Sequence, residues 1–313
     1  MSARGHLAEY LSGEFESLGR LGYQVIRNVV ADPDGHRHAI EAEAKTWKCA
    51  LDTTPLLQQY GAGQWNSVWK ARIATRATWE LLFRTEKLVS SWDGLSVVPT
   101  AKQLTCVRAL NEHGEPNWMH RDQRRANDNL ADTIQGFVAL SDVDARSYGT
   151  VLYVPKDMTA QTFLDTFHTR FYRRVTRSGR PAPFLADEDD YHAFDEDELE
   201  FIRKHCTLTR PMLRKGDMLL WCSPMPHAAA PAIDVSSETP RRFGLFVSMF
   251  PKELLDPDHL HTRRDLARRP LTSSHNVLHP RLFPFTLNDV VAIRRPSFEY
   301  EADVEVQRKR LIG

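Results

Sequence analysis

Residues 117–123 read Asn-Trp-Met-His-Arg-Asp-Gln, and this stretch places an H-x-D pair between two segments rich in strand-forming residues. On an extended chain, residues i and i+2 point to the same side of the strand. His120 and Asp122 can therefore direct one imidazole nitrogen and one carboxylate oxygen at the same point. The pair predicts two ligands of a metal ion, although H-x-D also occurs by chance in many proteins.

A third ligand is expected from residues 215–227, which read Lys-Gly-Asp-Met-Leu-Leu-Trp-Cys-Ser-Pro-Met-Pro-His. Here a turn, an apolar strand and a second turn lead to His227. Two neutral imidazoles and one carboxylate form the facial triad that binds Fe(II) and leaves coordination positions open. The pattern predicts a metal site made by His120, Asp122 and His227; the alternative is that His227 is an ordinary surface or core histidine.

The next apolar strand begins with two arginines, Arg241 and Arg242, and runs to Pro251. Burying a guanidinium is unfavourable unless a carboxylate meets it, and its planar fork suits bidentate carboxylate binding. A dicarboxylic co-substrate that chelates the metal at one end and pairs with one of these arginines at the other would satisfy both groups.

Around these motifs, short strand-like segments fall into two groups, at about 95–155 and 213–250. A helical insertion of mixed charge, about 156–212, separates the groups. The individual strands are expected at 23–30, 103–109, 133–140, 150–154, 217–222 and 241–250, and the helices at 5–19, 37–50, 68–88, 161–175, 199–205 and 287–293. Short strands in two groups predict a sandwich or barrel-like β core covered by helices on one outer face, within a single domain spanning 1–313.

Amino-acid composition limits the classes of protein and of binding partner that are expected. The 313 residues include 41 basic and 41 acidic side chains and 42% hydrophobic residues, which argues against disordered and fibrous classes. A formal charge of zero does not favour nucleic-acid or anionic-membrane binding. The 4 cysteines are dispersed, and no apolar run approaches the roughly 20 residues of a membrane span. We expect a cytoplasmic protein that acts on a small molecule.

Several patches along the chain resemble, in order, the phytanoyl-CoA dioxygenase-like branch of the Fe(II)/2-oxoglutarate-dependent oxygenases. The patches are Leu-Gly-Tyr-Gln-Val-Ile at 21–26, His-Arg-Asp at 120–122, Gln-Gly-Phe-Val-Ala-Leu-Ser-Asp at 135–142, Gly-Thr at 149–150 and the Gly-Asp to His segment at 216–227. The resemblance spans about residues 22–284. It implies an α+β protein whose core is a double-stranded β-helix (jelly-roll, cupin-like) with flanking helices and a helical insertion.

The resemblance also implies a set of residue roles. His120, Asp122 and His227 would be the catalytic ligands of Fe(II). Arg242, or failing it Arg241, would bind the distal carboxylate of 2-oxoglutarate. Asn117 and Thr150 would contact this co-substrate. The implied reaction uses dioxygen, decarboxylates 2-oxoglutarate to succinate, and hydroxylates or otherwise oxidises a small molecule.

The chain departs from the family pattern at two points. Val154-Pro155-Lys156-Asp157-Met158 keeps only the proline of a Pro-Gly-Ser-His turn, and the gap between His227 and Arg242 is longer than usual. The second departure leaves the choice between the two arginines open. Two alternatives remain: a cupin-like metal-dependent hydrolase or isomerase with the same ligands, and a non-catalytic jelly-roll binding protein. Trp118 and Trp221 are expected to wall the substrate pocket, and the insertion is expected to cover its mouth.

Overall fold

The computed structural model describes residues 13–49, 51, 56–98, 110–122, 133–145, 147–171, 191–231, 242–283 and 298–313. Arg241, the strand expected at 103–109 and the helix expected near 287–293 lie outside the described residues.

Two antiparallel sheets of five strands each form the centre of the described structure. The first contains β1 (Tyr23–Ile26), β3 (Leu95–Val98), β5 (Ile134–Ala139), β9 (Met218–Cys222) and β11 (Arg242–Val247), in the order β1-β9-β5-β11-β3. The second contains β4 (His120–Asp122), β6 (Gly149–Pro155), β7 (Tyr191–Ala193), β8 (Cys206–Thr209) and β10 (His227–Ala230), in the order β7-β4-β10-β6-β8. The chain passes alternately between the two sheets from β3 to β6 and again from β8 to β11.

Two short sheets of two strands each accompany the large ones. β2 (Leu88–Ser90) pairs with β12 (Met249–Pro251), and β13 (Thr272–Ser273) pairs with β14 (Leu282–Phe283). The described helices are α1 (Glu16–Leu21), α2 (Pro33–Thr46), α3 (Asn66–Ala74), α4 (Arg76–Phe83), α5 (Ala160–Phe171), α6 (Glu196–His205), α7 (Pro257–Ala267) and α8 (Ala302–Ile312). None of these helices is long and apolar enough to cross a membrane. The mixture of helices and antiparallel strands agrees with the α+β prediction.

Helix α2 begins at Pro33, four residues earlier than the apolar spacing predicts, because its start is set by capping. The Asp32 side chain accepts a hydrogen bond from the Gly35 N–H group at 2.9 Å, and Pro33 occupies the first helical position. Both residues are favoured at those positions. The Asp-Pro-Asp-Gly stretch that suggests a turn is therefore a helix start.

The expected helix over 68–88 is two helices and a strand. A break at Thr75 separates α3 from α4, and the Thr75 hydroxyl donates to the Arg72 carbonyl oxygen at 2.8 Å. Leu88 belongs to β2. The indole side chains of Trp65, Trp69, Trp79 and Trp92, which the sequence suggests are packing residues, are all buried.

The segment 156–212 is not purely helical. It contains α5 and α6, but it also supplies β7, which pairs with β4, and β8, which pairs with β6. Both strands extend the sheet that carries the H-x-D pair. Helix α6 starts with a capping box in which Asp195 and Glu198 satisfy each other's backbone N–H groups, so the acidic run of the sequence ends in a helix start.

Candidate metal centre and its cavity

The pairing of strands β4 and β10 brings His120 and His227 together. In the pairing of β10 with β4, His227 lies opposite His120, and Asp122 follows two residues later on the same side of β4. All three side chains are buried. Their ligand atoms lie within 4.8 Å of one another, in a group that could hold a metal ion.

Both imidazoles are oriented by backbone carbonyls. His120 Nδ1 lies 3.0 Å from the Trp118 carbonyl oxygen, and His227 Nδ1 lies 2.8 Å from that of Met225. A carbonyl only accepts hydrogen bonds, so each Nδ1 carries the proton and each Nε2 presents its lone pair. The Nε2 atoms face Asp122, at 3.1 Å for His227 and 3.8 Å for His120. Three electron-pair donors thus converge where a cation fits.

Protonation states agree with this arrangement. Burial, reinforced by the neighbouring His227, lowers the pKa of His120 to about 4, so its imidazole is neutral at physiological pH. Burial by itself would raise the pKa of Asp122, but the surrounding histidines outweigh it, His275 most strongly, and hold this pKa well below its ordinary value. Neutral imidazoles and an ionised carboxylate are the forms that bind a metal ion.

Gln135 and Ser223 support the carboxylate. The Gln135 side-chain amide donates to Asp122 Oδ2 at 2.6 Å and to Ser223 Oγ at 3.1 Å. The Asp122 N–H group donates to the Ser223 carbonyl oxygen at 3.1 Å. Sequence reasoning missed both residues, although a polar glutamine in the apolar strand β5 was a usable signal.

A cavity of about 380 Å³ opens beside His120, Asp122 and His227. Its sheet side is lined by His120, Asp122, Gln135, Thr150, Trp221, His227, Ala228, Ala229, Arg242 and Phe246. Trp118 and Trp221 both line it, as the sequence suggests, and the Trp118 ring stacks on His120 with centroids 4.4 Å apart. The volume is in the range of small-molecule sites.

Arg242, at the start of β11, is the cationic group of this sheet side. Its side chain is buried against the Phe137 ring, with Cζ 4.1 Å from the ring centroid. Its Nη2 donates to Thr150 Oγ1 at 3.2 Å, whereas Nε and Nη1 have no hydrogen-bond partner among the described residues. Burial lowers its pKa to about 10, which leaves it charged at neutral pH.

Other expected site residues lie elsewhere. The Asn117 side chain is exposed and does not line the cavity, so its role stays a prediction that the geometry does not support. The described part of 156–212 contributes no lining residue either. The cavity is instead closed by residues outside the two large sheets: Leu56, Gln58, Asp93, Ser274, His275, Arg281 and Phe283. No spacing pattern in the sequence connects these residues.

Comparison with known proteins shows where this fold recurs. No protein-family model and no curated protein sequence matches the chain. Among solved structures, GIG2 (GlcNAc Inducible Gene 2) of Candida albicans is 12% identical with a TM-score of 0.58, and the match covers 95% of this chain and 80% of that one. A protein of Salmonella typhimurium LT2, provisionally named an oxidoreductase, is 12% identical with a TM-score of 0.58, over 99% and 85% of the two chains.

Structures of iron- and 2-oxoglutarate-dependent enzymes are also among the matches. One is the epimerase SnoN in complex with Fe³⁺, alpha-ketoglutarate and nogalamycin RO; it is 14% identical with a TM-score of 0.43, over 79% of this chain and 83% of that one. At these identities the similarity concerns the fold.

Proposed function

We propose that the protein is a non-haem Fe(II)/2-oxoglutarate-dependent dioxygenase that oxidises a small molecule. One observation carries the proposal: a buried His-Asp-His group lines the same cavity as the buried Arg242, whose Nε and Nη1 have no hydrogen-bond partner among the described residues. A hydrolase or isomerase that uses the same three ligands has no need for Arg242. A dicarboxylate that reaches from the metal to the guanidinium satisfies both ends.

The strand order supports the same proposal. A double-stranded β-helix requires successive strands to alternate between two facing sheets, and β3 to β6 and β8 to β11 do so. The sequence patches assign the chain, within the oxygenases, to the phytanoyl-CoA dioxygenase-like branch. The double-stranded β-helix fold and the phytanoyl-CoA dioxygenase-like branch are both part of the proposal.

Each group at the site has a defined task. His120, Asp122 and His227 would hold the iron, and Gln135 fixes the orientation of the Asp122 carboxylate. The iron and 2-oxoglutarate supply the oxidising chemistry, in which dioxygen is consumed and the co-substrate is decarboxylated to succinate.

Arg242 and Thr150 bind the other end of the co-substrate. Arg242 Nη1 has no partner among the described residues, and Nη2 has a second N–H group besides the one that bonds Thr150. This pair has the geometry for two parallel hydrogen bonds to the distal carboxylate. Thr150 Oγ1 accepts from Arg242, so its hydroxyl hydrogen remains available to donate to the same carboxylate. Trp118 and Trp221 keep water away from the centre on the cavity side.

The test is the visible spectrum of the anaerobic protein. We expect a weak charge-transfer band when Fe(II) and 2-oxoglutarate are both present, and no band with either alone. Asp122→Ala should abolish the band without unfolding the protein. Asp265→Ala, at an exposed position on α7, is the matched control and should keep it. Metal binding with no band would favour the cupin-like hydrolase, and no metal binding would favour the binding protein.

A further inference from the structure

The cavity has an outer wall that the proposed chemistry does not use. We define the outer wall as seven lining residues that come from outside the two large sheets: Leu56, Gln58, Asp93, Ser274, His275, Arg281 and Phe283. Asp93 follows β2 and is the carboxylate of this wall. The residue is only 6% exposed, so its carboxylate is largely removed from bulk water.

Asp93 is held in place by its backbone. The buried Arg72 side chain donates from Nη2 to the Asp93 carbonyl oxygen at 2.8 Å and from Nη1 to that of Gly63 at 3.1 Å. Asp93 Oδ1 accepts from the Gly94 N–H group at 2.6 Å. Among the described residues, no donor reaches Oδ2. One carboxylate oxygen therefore remains available on the cavity wall.

This carboxylate makes no direct ion pair among the described residues, and the two groups that lower its pKa through charge, His275 and Arg72, act from beyond ion-pair distance. Among the described residues, no lysine, arginine or histidine nitrogen lies within 4.0 Å of it, although Arg281 lines the same wall. Burial raises the pKa of Asp93 to about 6, and nearby positive groups offset this only in part. A buried, unpaired carboxylate destabilises a folded protein. If Asp93 served only to accept the Gly94 N–H bond, an asparagine would do so without that penalty.

Asp93 and the metal centre face the same part of the cavity. His275 Nε2 lies 3.8 Å from Asp122 Oδ2, and His275 acts electrostatically on both Asp122 and Asp93. In the proposed function the distal carboxylate of 2-oxoglutarate already pairs with Arg242. The carboxylate of Asp93 is then an anionic group of the outer wall that can pair with a cationic group of a substrate.

We propose that Asp93 binds a protonated amine of the substrate, which makes the substrate class a small amine whose carbon frame packs on the apolar side chains of the cavity. Leu56, Trp118 and Phe283 supply that apolar surface. Aromatic faces add attraction for an ammonium group. Oxidation of this amine substrate rests on the proposed oxygenase function, whereas its binding by Asp93 does not.

The first test needs no ligand. Asp93→Asn removes the buried charge but keeps an oxygen for the Gly94 N–H group, so thermal unfolding at pH 7.5 should occur a few degrees above that of the wild-type protein. The matched control is Asp217→Asn, because Asp217 pairs with Arg27 at 2.5 Å and accepts from the Asn28 and Arg214 N–H groups. That variant should unfold at a lower temperature. A destabilised Asp93→Asn protein would show a structural role and overturn the proposal.

The second test measures recognition with defined probes. The probes are 2-phenylethylamine and n-hexylamine, each compared with its N-acetyl derivative, titrated against tryptophan fluorescence because Trp118 and Trp221 line the cavity. We expect the wild-type protein to bind the amines about ten- to a hundredfold more tightly than the acetylated forms, as for a charge-assisted hydrogen bond. In Asp93→Asn the preference should fall to within about twofold.

Equal binding of both forms, or no binding of either amine, overturns the proposal. The titration is run on the Fe(II)/2-oxoglutarate-loaded protein without oxygen and on the metal-free protein. Amine preference in a protein that shows no charge-transfer band would contradict the oxygenase function but not the role of Asp93. A normal charge-transfer band without amine preference would contradict the role of Asp93 but not the oxygenase function.

Discussion

At the residue scale, Asp122 is held in place by several contacts with the protein. Its carboxylate accepts from Gln135, its backbone N–H group donates to Ser223, and His227 lies 3.1 Å from Oδ2. Hydrogen bonds to a ligating carboxylate fix its orientation before the metal arrives. The geometry of the centre therefore depends on residues that never touch the ion.

Gln135→Leu tests this dependence. The variant loses the donor to Asp122 Oδ2, and we expect Fe(II) affinity to fall by about 10- to 100-fold, as is usual for groups that support metal ligands. Equilibrium dialysis with Fe(II) under anaerobic conditions measures the change. Gln161→Leu, on the exposed face of α5, is the control and should bind Fe(II) as the wild-type protein does. Unchanged affinity in Gln135→Leu would show that the hydrogen bond is dispensable.

Arg242→Lys tests the proposed co-substrate end. The variant keeps the charge but loses the planar fork. Charge-assisted hydrogen bonds contribute about 1.5–3 kcal/mol each, and about 1.4 kcal/mol corresponds to a factor of ten in affinity. We therefore expect the 2-oxoglutarate requirement to rise by about ten- to a hundredfold, with Fe(II) affinity little changed.

Comparison with Arg241→Lys shows which of the two arginines contacts 2-oxoglutarate. Its side chain alternates with that of Arg242 along the expected strand, so this variant should be nearly silent. A large effect at Arg241 with none at Arg242 would move the co-substrate contact by one residue. No effect at either position would remove the co-substrate site from the proposal.

At the scale of elements, the pairing of β11 with β5 leaves no room for a side chain at Gly244. Gly244 on β11 lies opposite Ala139 on β5, and a Cβ atom at Gly244 would overlap both the Phe137 ring and the Val138 carbonyl oxygen. The same Phe137 ring lies under the Arg242 guanidinium. Glycine at position 244 therefore leaves room for the Phe137 ring and for the Arg242 side chain that packs on it.

Gly244→Ala should weaken this pairing. Because one of the overlapping atoms is backbone, relief requires the strands to separate, and we expect the free energy of unfolding to fall by about 1–3 kcal/mol. Urea denaturation followed by fluorescence provides the measurement. Gly149→Ala is the control, since its nearest neighbour would be the end of the flexible Arg210 side chain at 3.2 Å. Equal stability of the two variants would show that the sheet can adjust.

At the scale of the whole molecule, buried arginines connect distant segments through carbonyl oxygens. Arg263 on α7 is fully buried and donates to the carbonyl oxygens of Ser90, Val277 and Ile312, at 2.7, 2.7 and 3.4 Å. These belong to β2, the segment after β13 and the end of α8. Burial lowers the pKa of Arg263 to about 9, so it still carries its charge at neutral pH. One side chain thereby ties the C-terminal helices to the core.

Arg263→Met should separate these connections. The carbonyl oxygens lose their donors in a buried environment, where each unsatisfied group costs about 1–3 kcal/mol, so we expect a loss of at least about 3 kcal/mol in the free energy of unfolding. Arg264→Met is the neighbouring control; Arg264 donates to the Gly313 carbonyl oxygen at an exposed position, and its loss should change stability by no more than about 0.5 kcal/mol. Similar losses in the free energy of unfolding in both variants would show that the burial of Arg263 does not increase the contribution of its hydrogen bonds.

The sequence by itself determined the local parts of this protein. Period-two geometry predicts that His120 and Asp122 share one side of a strand, and the structure places them so. Apolar runs identify β5, β6, β9 and β11, and helical spacing identifies α2 to α6 to within a few residues, apart from the break at Thr75. These features depend on neighbours in the chain, which a sequence displays directly.

Only the tertiary structure decided which distant segments meet. The register that sets His227 opposite His120, the hydrogen bond from Gln135 to Asp122 and the closure of the cavity by Asp93 and His275 all join residues far apart in sequence. Asn117 shows the converse, since it is three residues from a ligand and yet exposed. Side-chain direction follows from local backbone geometry, but proximity between segments follows from packing of the whole chain, and that information is not local.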